Sequence, residues 1–179
     1  MIVPQETKKY VLTGAPFTGK TTVLDIIKAN GYPVVPETAR MVIEEEQAKE
    51  SAILPWKDLS LFQEKVVMKQ AQLESEIFGR HVFLDRGILD SYAYSKLGNV
   101  DAPLHAYKDA HLRYAQVFIL ELLPGYTPDT VRKETADYRH QIHQALFEAY
   151  EQFGYAPIVV PILSPENRAE FIRRHIDSK

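Results

Sequence analysis

The chain has 179 residues, of which 45% are hydrophobic and 25% charged, and its formal net charge is -3. These values suit one domain, residues 1–179, with a well-buried core, and they give no indication of binding to nucleic acid. The lack of cysteine excludes disulfide bonds and thiolate metal sites. No apolar stretch approaches the ~20 residues of a membrane-spanning helix. We therefore expect a cytoplasmic protein that inserts into no membrane, and the sequence leaves a homodimer open.

The first predicted elements are a strand, a helix and a second strand. The first strand covers residues 8–12, and helix 21–29 places apolar residues at the spacing of one helical face. Asn30-Gly31 ends this helix, because glycine adopts the left-handed conformation cheaply at that point. Residues 32–36 then form a short predicted strand bounded by prolines. This order indicates a βαβ unit, from which parallel sheets are built.

The loop between the first strand and the first helix matches the phosphate-binding pattern G-x-x-x-x-G-K-[ST]. Its N–H groups and the start of the following helix would face an anion. Lys20 would place its charge on the β- and γ-phosphates of a nucleotide, and Thr21 would ligate Mg²⁺ through its hydroxyl group. The candidate nucleotide-binding residues are consecutive: Gly14, Ala15, Pro16, Phe17, Thr18, Gly19, Lys20, Thr21 and Thr22.

Helices and strands continue to alternate along the rest of the chain. Predicted helices cover residues 37–50, 58–78, 88–96, 103–113 and 129–153 and a last segment that starts at Ser164-Pro165; predicted strands cover residues 81–85, 116–120 and 157–163. This alternation predicts a three-layer α/β/α fold with about five parallel strands. Right-handed crossovers then bring the carboxyl ends of the strands beside the phosphate-binding loop.

Two carboxylates follow predicted strands. Asp85 ends the apolar run 81–85. In phosphate-binding proteins a carboxylate at this position holds Mg²⁺. The alternative is that Asp85 only caps the next helix. Glu37 follows the second strand, close to Arg40. Arg86 stands where a motor ATPase carries a glutamate that polarises water, and the chain has no N-K-x-D stretch for guanine recognition. Both features favour phosphoryl transfer to a small acceptor, from which water must be excluded.

The chain resembles the AAA_28 family of P-loop proteins in G-A-P-F-T-G-K-T-T, G-Y-P-V-V-P-E-T-A-R and V-F-L-D-R-G-I-L-D-S-Y-A-Y. The resemblance extends to V-V-P-I-L-S-P-E-N-R and so covers nearly the whole chain. The family includes the ribosylnicotinamide-kinase-like domain of bifunctional NadR proteins and the nucleotide-binding Ttd14-like proteins. More distantly, the chain is similar to deoxynucleoside and thymidylate kinases, which carry a glutamate after the second strand and a D/E-R-[SGY] motif after the third.

The kinase resemblance implies roles on the acceptor side. Glu37 is the candidate general base beside an acceptor hydroxyl, and its simpler role is a carboxylate favoured by the helix dipole. Arg86 would steady the acceptor or the transferred phosphoryl group, or form a salt bridge with Glu37 or Asp85. Arg40 and Asp90 are weaker acceptor-side candidates, since either could belong to a surface ion pair.

Kinases of this kind close a short lid over the triphosphate, and the resemblance places it after the fourth strand. Arg132 and Lys133 would carry the lid's positive charge to the phosphates, with Arg139 a less favoured partner. Their simpler interpretation is an exposed basic start of a helix. The nucleotide base would lie against residues 161–164, at the end of the fifth strand.

Aromatic and amide side chains could line an acceptor pocket, although core packing explains most such residues. The candidate walls are Trp56, Phe62, Tyr92 and Tyr94, and the candidates for reading a base edge are Gln63 and Gln70.

The motifs and the resemblance together imply ATP- and Mg²⁺-dependent phosphoryl transfer to a nucleoside- or nucleotide-like hydroxyl acceptor. GTP is the other candidate donor. The catalytic candidates are Lys20, Glu37, Asp85, Arg86 and Arg132, and the metal ligands are Thr21 and Asp85. Two alternatives are a nucleotide-binding regulatory protein with little turnover and a simple NTPase. The sequence does not identify the acceptor.

Overall fold

The computed structural model describes residues 7–102, 107–124 and 135–177. Its centre is a sheet of five parallel strands in the order β2-β3-β1-β4-β5. The strands are β1 (Lys8–Thr13), β2 (Val34–Val35), β3 (His81–Asp85), β4 (Gln116–Leu120) and β5 (Ile158–Val160). The α-helices of the described residues are α1 (Lys20–Ala29), α2 (Thr38–Ala48), α3 (Leu59–Ser75), α4 (Ile88–Leu97), α5 (Ala136–Gln152) and α6 (Pro165–Asp177). None of these helices is long and apolar enough to cross a bilayer.

The sheet separates two hydrophobic cores, because successive side chains of a strand point to opposite faces. Within β1, Val11 lies in one core, whereas Tyr10 and Leu12 belong to the other. The core around Val11 joins the sheet to α3, α4 and α5, and the second core joins it to α1 and α6. Helices therefore cover both faces of the sheet, which confirms the predicted three-layer α/β/α fold.

Two predicted helices differ from the observed structure. Helix α5 begins at Ala136 rather than near residue 129, because Thr135 caps it: its backbone is extended and its hydroxyl accepts a hydrogen bond from the Tyr138 amide at 3.1 Å. Arg132 and Lys133, predicted as the lid's cations, lie outside the described residues. In the described part of 103–113, a 3₁₀ turn at Ala110–Leu112 replaces the predicted α-helix.

The strand order sets which loops meet. Strand β1 lies between β3 and β4, and in the register of β1 and β3 Leu12 is the partner of Asp85. The loop that follows β1 therefore begins beside the residues that follow β3. Strand β2 pairs with β3, and Glu37 follows β2 at the same edge of the sheet. This edge is where the carboxyl ends of the strands meet, the usual position of a site in an open parallel sheet.

A buried carboxylate ties α2 to α3. Glu46 is 1% exposed, and its carboxylate accepts hydrogen bonds from Lys65 at 2.6 Å and from Lys49 at 3.4 Å. Hydrogen bonds from Lys65 and Ser51 lower the pKa of Glu46 to about 2. A lowered carboxyl pKa stabilises the folded state above the ordinary value of 4.5, and this contribution is lost as the pH falls towards about 2.

We therefore expect Glu46→Gln to weaken the dependence of stability on pH between about 4.5 and about 2. Urea unfolding at several pH values in that range measures the effect. The matched control is Glu44→Gln, an exposed carboxylate on the same helix, which should leave the pH dependence unchanged. Equal slopes for the wild type and Glu46→Gln would contradict the assignment.

Candidate active site

The loop of residues 14–19 connects β1 to α1. Gly19 occupies the N-cap position of α1 with φ of 80°, a left-handed conformation that favours glycine. The Thr18 hydroxyl donates to the Ala15 carbonyl at 3.0 Å, and both side chains are buried, which closes the loop on itself. Phe17 projects from the tip and is 39% exposed. The loop is thus a tight turn at a helix N-terminus, the backbone shape that an anion site requires.

Lys20 and Asp85 meet beneath this loop. The Lys20 ammonium donates a hydrogen bond to the Asp85 carboxylate, and Lys20 is 8% exposed. Burial raises the pKa of Asp85 above its ordinary value, although the charge of Lys20 acts in the opposite direction. The structure therefore brings the predicted phosphate-binding cation and the predicted metal-binding carboxylate together.

Thr21 and Asp85 line the same cavity of about 460 Å³, between α1 and α2. A hydroxyl and a carboxylate are hard oxygen donors, and Mg²⁺ is usually held by one or two such groups together with phosphates and water. These two residues therefore fit a magnesium ion. Arg40 lines this cavity as well. The sequence suggested a position on the acceptor side of Glu37, and the structure places Arg40 on the other side.

Glu37 is engaged by Arg86 rather than by the backbone of α2. The Arg86 Nε group donates to the Glu37 carboxylate at 2.8 Å, and the Glu37 side chain makes no capping hydrogen bond to α2. Burial raises the pKa of Glu37, but the charges of Arg86, Lys20 and Arg40 and the hydrogen bond from Arg86 outweigh it and hold this pKa below its ordinary value. Glu37 is therefore ionised at neutral pH.

Asp90 is a buried centre of hydrogen bonds and not part of a surface ion pair. It is 3% exposed and accepts from Arg86 at 3.2 Å, from the Gly87 amide at 3.0 Å and from the Tyr150 hydroxyl at 2.6 Å. The Thr13 hydroxyl donates to it as well. Through these bonds, Asp90 fixes the guanidinium of Arg86 between two carboxylates, its own and that of Glu37. The backbone of Arg86 itself has φ of 72°, a costly conformation for a non-glycine residue.

The segment after Arg86 has no room for a side chain at Gly87. A Cβ atom there would lie 2.7 Å from the Tyr150 hydroxyl, 2.8 Å from a Val11 methyl and 2.9 Å from the Tyr114 hydroxyl. We expect Gly87→Ala to destabilise the protein by about 1–3 kcal/mol through overpacking, measured by urea unfolding. Because Tyr150→Phe removes one of the three clashing atoms, the double variant should lose less stability than the sum of the two single variants. Additive losses would contradict this account of Gly87.

A second cavity, of about 320 Å³, opens on the other side of Glu37. Glu37, Arg86 and Asp90 line its polar end. Its walls are largely apolar and come from α2, from α3 and from the segment between them: Ala39, Ile43, Pro55, Leu59, Phe62 and Val66. We call this space the acceptor cavity. Its size suits a small molecule, one end of which would lie beside Glu37.

The predicted pocket residues divide into two groups. Phe62, Gln63, Gln70 and Tyr94 line the acceptor cavity. Trp56 and Tyr92 do not line it: Trp56 is 62% exposed, and Tyr92 packs in the core against the rings of Tyr107 and Phe153.

The two glutamines of the acceptor cavity differ in their hydrogen bonding. Gln70 accepts from the Thr38 hydroxyl and donates to Glu74 at 3.0 Å, so protein groups engage both ends of its amide. Gln63 is 5% exposed, and its amide has no hydrogen-bond partner among the described residues. Gln63 is therefore the better candidate for contact with a ligand.

Two buried arginines contact the phosphate-binding loop. Arg139 of α5, given little weight from the sequence, donates to the Pro16 carbonyl at 3.1 Å. Arg168 of α6 donates to the Thr18 carbonyl at 2.6 Å. The sequence motifs did not predict this residue. The available signal was its position: Arg168 precedes Ile172 and Ile176 at helical spacing, so it lies on the buried stripe of α6.

The profile of the AAA_28 family, described as an AAA domain, matches residues 9–168. Comparison with curated proteins gives no match. A NadR protein in complex with NR superposes with a TM-score of 0.71 at 18% identity over 96% of this chain and 50% of that chain, so the chain spans half the length of that protein.

Two further structures match over nearly their whole length. Deoxyadenosine kinase from M.mycoides gives a TM-score of 0.62 at 18% identity over 95% of this chain and 98% of that chain. Shikimate kinase from Aquifex aeolicus gives 0.58 at 16% identity over 94% and 96%. At these identities the likeness concerns the fold. The family profile covers the phosphate-binding loop, Glu37, Asp85, Asp90 and both buried arginines, and the chain belongs to the AAA_28 family.

Proposed function

We propose that this protein is a kinase that transfers the γ-phosphoryl group of ATP to a hydroxyl group of a small, uncharged, nucleoside-like acceptor. One observation carries the proposal. The ionised carboxylate of Glu37 lies between the Lys20–Asp85 pair on one side and the acceptor cavity on the other. A hydrolase needs only room for water, whereas this cavity offers apolar walls and a buried amide to a larger molecule.

On the nucleotide side, the loop of residues 14–19 and the start of α1 would hold the phosphates by their N–H groups. Lys20 would turn from Asp85 to the β- and γ-phosphates, where its charge offsets the charge of the transferred group. Thr21 and Asp85 would hold Mg²⁺, which neutralises phosphate charge when bound. Arg132 and Lys133, outside the described residues, keep their predicted role above the triphosphate.

On the acceptor side, Glu37 would accept the proton of the attacking hydroxyl group. Its lowered pKa makes it a weak base, which suffices because phosphoryl transfer depends mainly on positioning and on neutralisation of charge. Arg86 orients the Glu37 carboxylate through the hydrogen bond at 2.8 Å and lies at the polar end of the cavity, where the transferred group would arrive.

The charges of the acceptor cavity favour a neutral acceptor. Arg86 is the one cationic side chain among its described lining residues, and Glu37, Asp90 and the Gly14 carbonyl already engage it. An acceptor carboxylate or phosphate would lie beside two anions with no further cation from these residues. The buried amide of Gln63 can both donate and accept a hydrogen bond, as the edge of a heterocyclic base requires.

A thermal-shift screen tests the proposal. ATP and GTP with Mg²⁺ are compared first, and nucleosides, nucleoside monophosphates and shikimate are then added to the better nucleotide. Only a ligand that binds the native state raises Tm, so a further increase with a nucleoside supports the kinase. Stabilisation by nucleotide alone, with every acceptor inactive, would instead favour the regulatory alternative.

A further inference from the structure

Three arginines from three separate parts of the chain donate hydrogen bonds to alternate carbonyl groups of the phosphate-binding loop. The pairs are Arg86 with Gly14 at 3.3 Å, Arg139 with Pro16 at 3.1 Å, and Arg168 with Thr18 at 2.6 Å. Arg86 follows β3, Arg139 belongs to α5 and Arg168 to α6. The alternation matters because a loop that surrounds an anion turns its N–H groups inwards and must satisfy its carbonyl groups on the outside.

Arg168 has an unusual environment for a buried charge. It is 2% exposed, and its guanidinium donates to the carbonyls of Thr18, Pro161 at 2.9 Å and Glu121 at 3.4 Å. In the described part of the chain it forms no ion pair with a carboxylate. Burial lowers the pKa of Arg168, and the charge of Glu121 opposes this effect only in part. Buried charges are normally paired, so a neighbouring anion would be favourable here.

We propose that Arg139 and Arg168 are positioning residues: they hold the phosphate-binding loop in its anion-binding conformation before a nucleotide arrives, and the positive charge of Arg168 adds to its affinity for polyphosphate. The inference rests on the nucleotide-binding half of the proposed function. It extends that function to two residues that act through the loop backbone and need not touch the nucleotide. A merely structural role would predict a loss of stability without a selective loss of nucleotide affinity.

The experiment compares Arg168→Gln and Arg139→Gln with Arg174→Gln. Arg174 is the matched control because it lies on the same helix as Arg168 but is exposed and pairs with Glu170 at 2.8 Å. Calorimetric titration measures Kd for ATP–Mg²⁺ and for AMP. Loss of a hydrogen bond from a charged donor should raise the Kd for ATP roughly 10- to 100-fold in each buried variant, with a smaller change for AMP. The control should bind both nucleotides as the wild type does.

Hydrogen exchange of the nucleotide-free proteins gives an independent readout. In Arg168→Gln and Arg139→Gln, the amides of Ala15 and of residues 17–19 should exchange faster, while those of β4 keep the wild-type rate. Arg168→Lys provides a variant that retains the charge. Because a single ammonium group cannot replace the planar fork towards three carbonyls, its Kd for ATP should lie between those of the wild type and Arg168→Gln.

Folded variants with wild-type Kd for ATP and wild-type exchange in the loop would overturn the inference and leave the proposed function intact. If Arg168→Gln does not fold, Arg139→Gln and Arg168→Lys decide the question by the same two measurements. If the wild type itself binds neither ATP nor GTP, this inference and the proposed function both fail.

Discussion

Glu37→Gln is expected to bind ATP–Mg²⁺ with nearly the wild-type Kd and to lose phosphoryl transfer by roughly 10²- to 10⁴-fold in kcat. Glutamine retains the shape of the side chain and an oxygen that can accept the hydrogen bond from Arg86. It cannot accept a proton at neutral pH, so only the step in which the acceptor hydroxyl group loses its proton should suffer. Steady-state kinetics with the acceptor identified by screening, combined with nucleotide titration, separates the two effects.

The pH dependence of the wild type provides a second test of the same residue. The pKa of Glu37 lies below its ordinary value of 4.5, so the carboxylate is ionised throughout the neutral range. The contribution of Glu37 to the kcat/KM profile, which reports the free enzyme, should therefore be flat at neutral pH and should decline only below pH 4.5. The matched control is Glu64→Gln, an exposed carboxylate of α3 that lines neither cavity. Undiminished transfer by Glu37→Gln would exclude Glu37 as the base.

Lys20→Met is expected to reduce kcat/KM for ATP by roughly 10²- to 10³-fold or more, because it removes a positive charge aimed at the transferred phosphoryl group. It also leaves the largely buried Asp85 carboxylate without its ion-pair partner. We therefore expect the variant to lose stability at neutral pH, where the Asp85 carboxylate must remain charged. Enzyme kinetics and urea unfolding measure the two losses separately.

Lys57→Met controls for the loss of a lysine away from the site. Lys57 is exposed just before α3 and lines neither cavity, so its removal should affect neither kcat/KM nor the free energy of unfolding by much. If Lys20→Met retained the wild-type kcat/KM while folding normally, the loop would not be the site of nucleotide chemistry.

The parts of the site that could be predicted from the sequence are local. The phosphate-binding loop is a run of consecutive residues, so its pattern and its place between β1 and α1 are both visible in the sequence. Asp85 could also be predicted from the sequence, because it ends a short, continuous apolar strand. The structure has this strand with the predicted bounds. In both cases the residues that define the feature are neighbours in the chain.

The parts that could not be predicted depend on contacts between distant residues. Asp90 meets Thr13 across 77 residues and Tyr150 across 60, and nothing in the spacing of α4 separates this buried carboxylate from a surface one. Arg168 contacts the loop across 150 residues. The sequence shows that such side chains exist, but the strand order decides which of them meet.

The predicted start of α5 was wrong because a capping hydrogen bond, and not helix propensity, determines where the helix begins. Residues 136–152 and the residues before them look equally helical, and the hydrogen bond from the Tyr138 amide to the Thr135 hydroxyl sets the start of α5. On α3, the buried face continues through Gln63, Gln70 and Glu74 and not only through apolar residues. Periodicity of apolar residues cannot reveal a buried polar network of this kind.

The most direct measurement of the central claim follows the γ-phosphoryl group itself. The wild-type protein is incubated with γ-labelled ATP, Mg²⁺ and a panel of neutral nucleosides, and labelled products are separated from labelled inorganic phosphate. We predict that label moves to one nucleoside class faster than to water, and that Glu37→Gln removes this product. Saturable ATP binding with no labelled nucleoside, or release of inorganic phosphate faster than transfer to every acceptor, would contradict the account.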